Sequence, residues 1–246
     1  MTTPICFGKS DRLRCLSCLL LLSLTLLAAP ARAELAAAMK AIERGHYATA
    51  ERALRRPAAE GDAASQNNLA YLYEHGLGVA QSDVTAMSWY RRAAEAGLPA
   101  AQYNLATMLH KGRGPAGDAD TSAYRWFEAA ANAGYTDAEY MVGEYYRSGL
   151  GVKRDGALAL SWYLKAAKKG HAGAQLIAAS LYLSGEGWRS EPQKALIWAE
   201  LARINGEGQA SVILSRAGKS LRDEQKTEAM QQATLCLNSR YKDCPE

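Results

Sequence analysis

Small and apolar side chains recur at i, i+4, i+5 and i+8 along this chain, as Ala101, Leu105, Ala106 and Leu109 do and as Ala138, Val142, Gly143 and Tyr146 do again. That spacing marks one face of a 3.6-residue helix. A G-x-G step follows each such stretch. Its first glycine stands where a left-handed residue ends a helix without a Cβ clash. A second helical pattern comes next, with Ala86, Trp89 and Ala93, or Ala159, Trp162 and Ala166, at i, i+3 and i+7. Alanines let two backbones approach closely, so the expectation is a buried column of indoles filling the groove between helices. A closing glycine ends the second helix. The predicted unit is helix, turn, helix.

The unit occurs four times. Trp89, Trp126, Trp162 and Trp198 are 36 or 37 residues apart, and the same steps relate Gly76, Gly112, Gly149 and Gly185. They also relate Gly78, Gly114, Gly151 and Gly187, then Ala86, Ala123, Ala159 and Ala195, then Gly97, Gly134, Gly170 and Gly206. Five columns in register place the repeats at 62–97, 98–134, 135–170 and 171–206. One helix pair cannot bury enough apolar surface alone, whereas stacked copies share a continuous core. The fold class expected is all-α, a right-handed α-solenoid of helix-turn-helix repeats with one concave side. Atypical capping helices are expected at both ends, over 34–61 and 207–246.

In the first cap, Ala50 and Gly61 keep the register, but Ala53 replaces the tryptophan and Pro57 is expected to interrupt the second helix. In the last cap, Gln209–Gly218 imitates a first helix. Ser220-Leu221-Arg222-Asp223 then reads as the start of a longer helix to about Cys236. Composition agrees: after residue 33 there are 43 alanines against ten valines and isoleucines, which favours helix over strand.

The runs Ala101-Gln102-Tyr103-Asn104-Leu105-Ala106 and Trp89-Tyr90-Arg91-Arg92-Ala93-Ala94, with the G-x-G turns, resemble Sel1-like repeats, a subfamily of tetratricopeptide-type helical repeats. The resemblance covers about residues 62–206. It departs at Leu201-Ala202-Arg203, where an Ala-Ala pair is usual, and at Pro115, where valine follows the turn. The resemblance implies protein–protein scaffolding, often in bacterial envelopes, signalling or host interaction. It also brings an alternative, an envelope enzyme or ligand-binding protein acting on peptidoglycan or β-lactams, to which some exported relatives have been linked.

The first 33 residues belong to a different pattern. Lys9, Arg12 and Arg14 precede an apolar run of 13 residues, Cys15 to Leu27, and Ala31-Arg32-Ala33 offers a small-x-small site. This reads as a secretory signal cleaved after Ala33, with Ala31 as second choice. The run is too short for the ~20 residues of a membrane span. Export to a periplasm or to the outside is therefore expected, with no membrane span in the mature chain. Without Lys9, Arg12, Arg14, Arg32 and Asp11 the mature chain has 25 basic and 24 acidic residues, a net of +1. No field remains to attract nucleic acid. Of five cysteines, Cys236 and Cys244 survive cleavage. They are either a disulfide tying the tail to the last helix, as an oxidising compartment permits, or two unpaired thiols.

Catalytic patterns are weak. The G-x-G turns follow helices rather than strands and lack a third glycine, which argues against a nucleotide loop. Ser239-Arg240-Tyr241-Lys242 is formally S-x-x-K, but no S-D-N or K-T-G accompanies it. His46, His75, His110 and His171 form no metal-ligand spacing and read as solvated. No catalytic residue, cofactor or metal is expected. The remaining candidate is the face opposite the core, at i+2, i+6 and i+9, whose residues differ between copies. Asn67, Tyr71, Tyr103, Thr107, Tyr140, Glu144 and Arg147 are the candidate contacts for another protein or peptide, since exposed tyrosines are common interface anchors. An ordinary solvated helix face is the other reading. The expectation is a monomeric adaptor, not an enzyme.

Overall fold

A computed structural model describes residues 33–113, 120–185 and 189–245. Residues 1–32 of the leader, with Cys6, Cys15 and Cys18, lie outside the described residues, as do Gly114, Pro115 and Gly187. The described residues form twelve helices and no strand. After α1 (33–43) come α2 (Tyr47–Ala59), α3 (Ala63–His75) and α4 (Asp83–Glu95). Then follow α5 (Pro99–His110), α6 (Asp120–Asn132), α7 (Thr136–Ser148), α8 (Gly156–Ala167), α9 (Ala172–Ser184) and α10 (Pro192–Ile204). The chain ends in α11 (Ala210–Lys219) and α12 (Asp223–Asn238). It divides into two compact units between Ala96 and Gly97.

Local chemistry sets the helix ends. Asp62 and Asp155 accept the backbone N–H of Ser65 and Leu158 at 2.7 and 2.9 Å, satisfying donors that a helix start leaves unpaired. Gly76 and Gly149 close α3 and α7 at φ 64° and 76°, where a side chain would be strained. Gly78 has a second reason: a Cβ there would run into the backbone of Tyr47 and Ala48 at the start of α2.

In the first unit α2 packs on α3 and α3 on α4, with Ala50, Leu54, Ala58, Leu69 and Leu72 buried among them. Pro57 does not interrupt α2, which continues to Ala59 with the proline buried inside it. The ring sits in the last turn, and the Pro57 carbonyl still accepts the Asp62 N–H at 2.9 Å. The second unit stacks α5 to α10 pairwise and adds α11 and α12 against α10. The last helix starts after Arg222 rather than Ser220 and runs past Cys236 to Asn238.

The aromatic column differs from the sequence reading. Trp89, Trp126 and Trp162 are only partly buried. The fully buried rings are their successors, Tyr90, Phe127 and Tyr163. Ala86, Tyr90, Ala93 and Ala94 fall at i, i+4, i+7 and i+8, nearer the middle of a helical stripe than Trp89 at i+3. The displaced indoles carry cations: the Arg92 guanidinium lies 4.6 Å from the Trp89 ring centre, and the Lys165 ammonium 3.5 Å from that of Trp162. Trp198 alone among the four is fully buried.

A buried polar column at i+1, unread in the sequence, links neighbouring helices. Gln66 donates to the Ala58 carbonyl at 2.9 Å and Gln175 to that of Ala167 at 3.1 Å, each reaching the end of the preceding second helix. Each carbonyl also accepts a backbone N–H, from Gly61 at 3.2 Å and from Gly170 at 2.9 Å, so the glutamine engages its second lone pair while fixing the joint. Glu139 has no donor to offer. It instead accepts from Lys169 at 2.8 Å, and the same ammonium reaches the Gly134 carbonyl at 2.9 Å.

Candidate interaction surface

In the first unit the candidates are Asn67, partly buried, and Tyr71, 42% exposed. The Tyr71 ring lies 4.2 Å from that of His75, one turn later on α3. Next to it, Glu74 accepts the Tyr90 hydroxyl at 2.9 Å, so the buried ring of the second helix is anchored by its phenol to the first.

In the second unit Tyr103 and Tyr140 are half-buried and make aromatic contacts beyond their own helices. Tyr103 meets Phe127 edge-on at 5.6 Å and Tyr135 of the next repeat at 5.1 Å. Tyr140 meets Tyr163 at 5.6 Å and stacks on His171 of its next repeat at 4.7 Å and 14°. Tyr135 and His171 are N-cap residues of α7 and α9. His171 caps with its ring, Nδ1 accepting the Ala174 N–H at 3.0 Å. Tyr135 makes no side-chain cap and rests on Tyr103 instead. Sequence reasoning left out Tyr135 and read His171 as solvated, because both precede the first-helix pattern and meet the surface only through the neighbouring repeat.

Thr107 donates its hydroxyl to the Tyr103 carbonyl at 2.9 Å and so is spent on its own helix. Glu144 and Arg147 form one network with Tyr163. The Tyr163 hydroxyl donates to Glu144 at 2.6 Å, Arg147 Nη2 donates to Glu144 at 2.6 Å, and Arg147 Nε donates to the Tyr163 oxygen at 3.2 Å. Burial, then hydrogen bonding to Glu144, pushes the Tyr163 phenol well above its ordinary value. Burial likewise raises Tyr103 and Tyr135, with Asp137 adding to both. Tyr140 is raised by burial and then by Glu144, with a smaller push from Glu207.

Two of the four histidines are not simply solvated. Besides His171, the His110 Nδ1 lies 2.9 Å from the Tyr145 hydroxyl, which pins the end of α5 to α7. No cluster of three metal-ligating side chains occurs among the described residues. Ser239 donates to the Cys236 carbonyl at 2.9 Å and accepts the Asp243 N–H at 3.0 Å, so its hydroxyl shapes the final turn. Cys236 and Cys244 are disulfide-bonded, with Cα atoms 4.8 Å apart. The loop they close carries Tyr241, whose ring rests against Gly170 and whose hydroxyl is 2.8 Å from Asn205 Nδ2. No described helix is long and apolar enough to cross a membrane.

Paired helices repeated in register, with unlike helices at the chain ends, define an α-solenoid protein of tetratricopeptide type. The Sel1 repeat profile matches residues 63–98, 99–135, 136–171 and 172–206, and the chain belongs to the Sel1 repeat family. It is 29% identical to a Sel1 repeat protein from Oxalobacter formigenes, with a TM-score of 0.70 over 82% of this chain and 84% of that one. A protective antigen of uropathogenic Escherichia coli with an SLR fold is 26% identical at a TM-score of 0.50, covering 80% of this chain. The alignment takes in 49% of that antigen, so the chain spans about half its length. No curated protein matches the chain. The repeats of this family generally serve as scaffolds for protein–protein interaction.

Proposed function

We propose that this protein is an exported adaptor that binds another protein or peptide through the first-helix faces of its repeats. One observation carries the reading. The columns at i, i+4 and i+5 keep small or apolar residues in every copy, while the i+2, i+6 and i+9 columns vary and leave tyrosines within reach of solvent. Stacked helices hold those rings before a partner arrives, which lowers the entropy cost of association. The leader sequence supports export to a periplasm or beyond it, where a disulfide at Cys236 and Cys244 persists.

The test is affinity capture from the protein's own envelope extract, comparing wild type with the Tyr103→Ala/Tyr140→Ala double variant. A specific partner retained by the first and lost by the second is the expected result, with melting temperature little changed. Equal capture by both would remove this surface from the interaction. Cell fractionation combined with N-terminal sequencing tests export: a mature start at Glu34 or Arg32 outside the cytoplasm is expected, and an intact leader in the cytoplasm refutes it.

A further inference from the structure

Two aromatic pairs of the second unit, Tyr103 with Tyr135 and Tyr140 with His171, meet at one carboxylate. Asp137, in the first turn of α7, is 53% exposed, and its Oδ1 is 3.7 Å from His171 Nε2. It lies close enough to Tyr103 and Tyr135 to act on both phenols, and His171 in turn stacks on Tyr140. Glu207 acts on Tyr140 as well. Arg147, which acts on Tyr140, is already bonded to Glu144 and Tyr163, and Lys169, on the Gly134 carbonyl beside Tyr135, is already bonded to Glu139. The spare charge around the aromatic patch is therefore negative.

We infer that the patch formed by Tyr103, Tyr135, Asp137, Tyr140 and His171 receives an arginine side chain from the partner segment. Ring faces carry negative electrostatic potential and attract cations, and a carboxylate among them adds a hydrogen-bond acceptor for the same group. Arginine fits better than lysine because its planar guanidinium stacks on a ring while its edge donates to a carboxylate. An anionic segment would face Asp137 and Glu207, with Arg147 and Lys169 already bonded to Glu144 and Glu139. This inference rests on the interaction reading above and adds the chemistry of what is bound.

The experiment titrates the purified protein with hexa-arginine, hexa-lysine and hexa-glutamate peptides by isothermal calorimetry. Hexa-arginine is expected to bind most tightly and hexa-glutamate not at all. Asp137→Asn should weaken hexa-arginine by about tenfold, and Tyr140→Leu by several fold with no change in net charge. Glu224→Gln removes another exposed carboxylate, on α12, and should leave the affinity unchanged. Absent binding of hexa-arginine, unaltered affinity in Asp137→Asn, or an equal loss in Glu224→Gln overturns the inference. Should any of these occur while envelope capture still depends on Tyr103 and Tyr140, only the cationic partner class falls and the interaction surface stands.

Discussion

Repeats three and four share one frame and solve it oppositely. In the third, Tyr163 is fully buried and Trp162 lies half-covered beneath Lys165. In the fourth, Trp198 is fully buried and Ala199 stands where Tyr163 would be. The difference follows from what lies beyond the second helix. α8 packs against α7 and α9, whereas α10 also carries α11 and α12 on its flank. With Ala217, Ala229 and Ala233 drawn into the same core, the tryptophan position of the fourth repeat becomes interior. Each second helix places one large ring fully inside, and its surroundings decide which of two adjacent residues supplies it. Trp198 occupies that place at a cost, since its Nε1 has no hydrogen-bond partner among the described residues.

The comparison breaks most visibly at Trp198. Trp198→Ala should lower unfolding free energy by about 3–5 kcal/mol, the usual loss for a buried ring. Trp162→Ala, half-exposed, should cost about 1–2 kcal/mol from lost contact area and the Lys165 interaction. Urea denaturation of the two variants decides the matter, and equal losses would show that both indoles are buried alike. The cap that covers Trp198 is itself tied by the disulfide. Cys236→Ala/Cys244→Ala should cost roughly 2–3 kcal/mol, as expected for closing a loop of this length. A melt insensitive both to the double substitution and to reductant would mean that packing alone holds the cap.

These outcomes mark where sequence stops. The repeats, the turns and the end glycines were legible because a helical period and fixed columns leave few alternatives. The choice between Trp162 and Tyr163 was not, since both fall within one apolar stripe and differ by a single helical step. Invariance drew the reading to tryptophan, although a half-exposed indole under a cation recurs as regularly as a buried one. Gln66 and Gln175 escaped notice because a glutamine is ordinarily a surface residue, and only a neighbouring helix end makes its burial favourable. At the candidate surface Tyr103 and Tyr140 were readable as outward positions. Their partners Tyr135 and His171 come from the next repeat, at N-cap positions that a single-helix pattern does not include.

The third contrast concerns the room each ring needs. The column that holds alanine at 70, 106 and 179 holds glycine at 143. A Cβ there would stand 2.9 Å from two atoms of the Tyr163 ring. Replacing a helical glycine with alanine ordinarily stabilises by about 1 kcal/mol. Gly143→Ala should instead destabilise by about 1 kcal/mol or more, because Tyr163 is held by Glu144 and Arg147 and must shift. In the fourth repeat Ala199 stands in place of that tyrosine, and Ala179→Gly should show the ordinary loss of about 1 kcal/mol. A stabilised Gly143→Ala would show that Tyr163 moves freely.

The smallest effect isolates the Tyr163 hydroxyl. Phe127 fills the equivalent place in the second repeat, so the ring alone is accommodated. At neutral pH Tyr163→Phe should cost about 0.5–1.5 kcal/mol, the net worth of the lost hydrogen bonding to Glu144 and Arg147. Alkali changes the comparison. The folded phenol titrates above its unfolded value, which is about 10. Above that pH the native state binds more protons than the unfolded chain, so this contribution is intact below pH ~10 and declines as pH rises toward the folded value. The decline is at most about 1.4 kcal/mol per pH unit for one proton. Tyr103, Tyr135 and Tyr140 are common to both proteins and cancel in the difference. Urea midpoints at pH 8, 10 and 11 should therefore converge between wild type and Tyr163→Phe. Parallel midpoints would mean that burial and Glu144 do not hold the phenol neutral, and with it would go the account of why repeat three keeps its tyrosine inside.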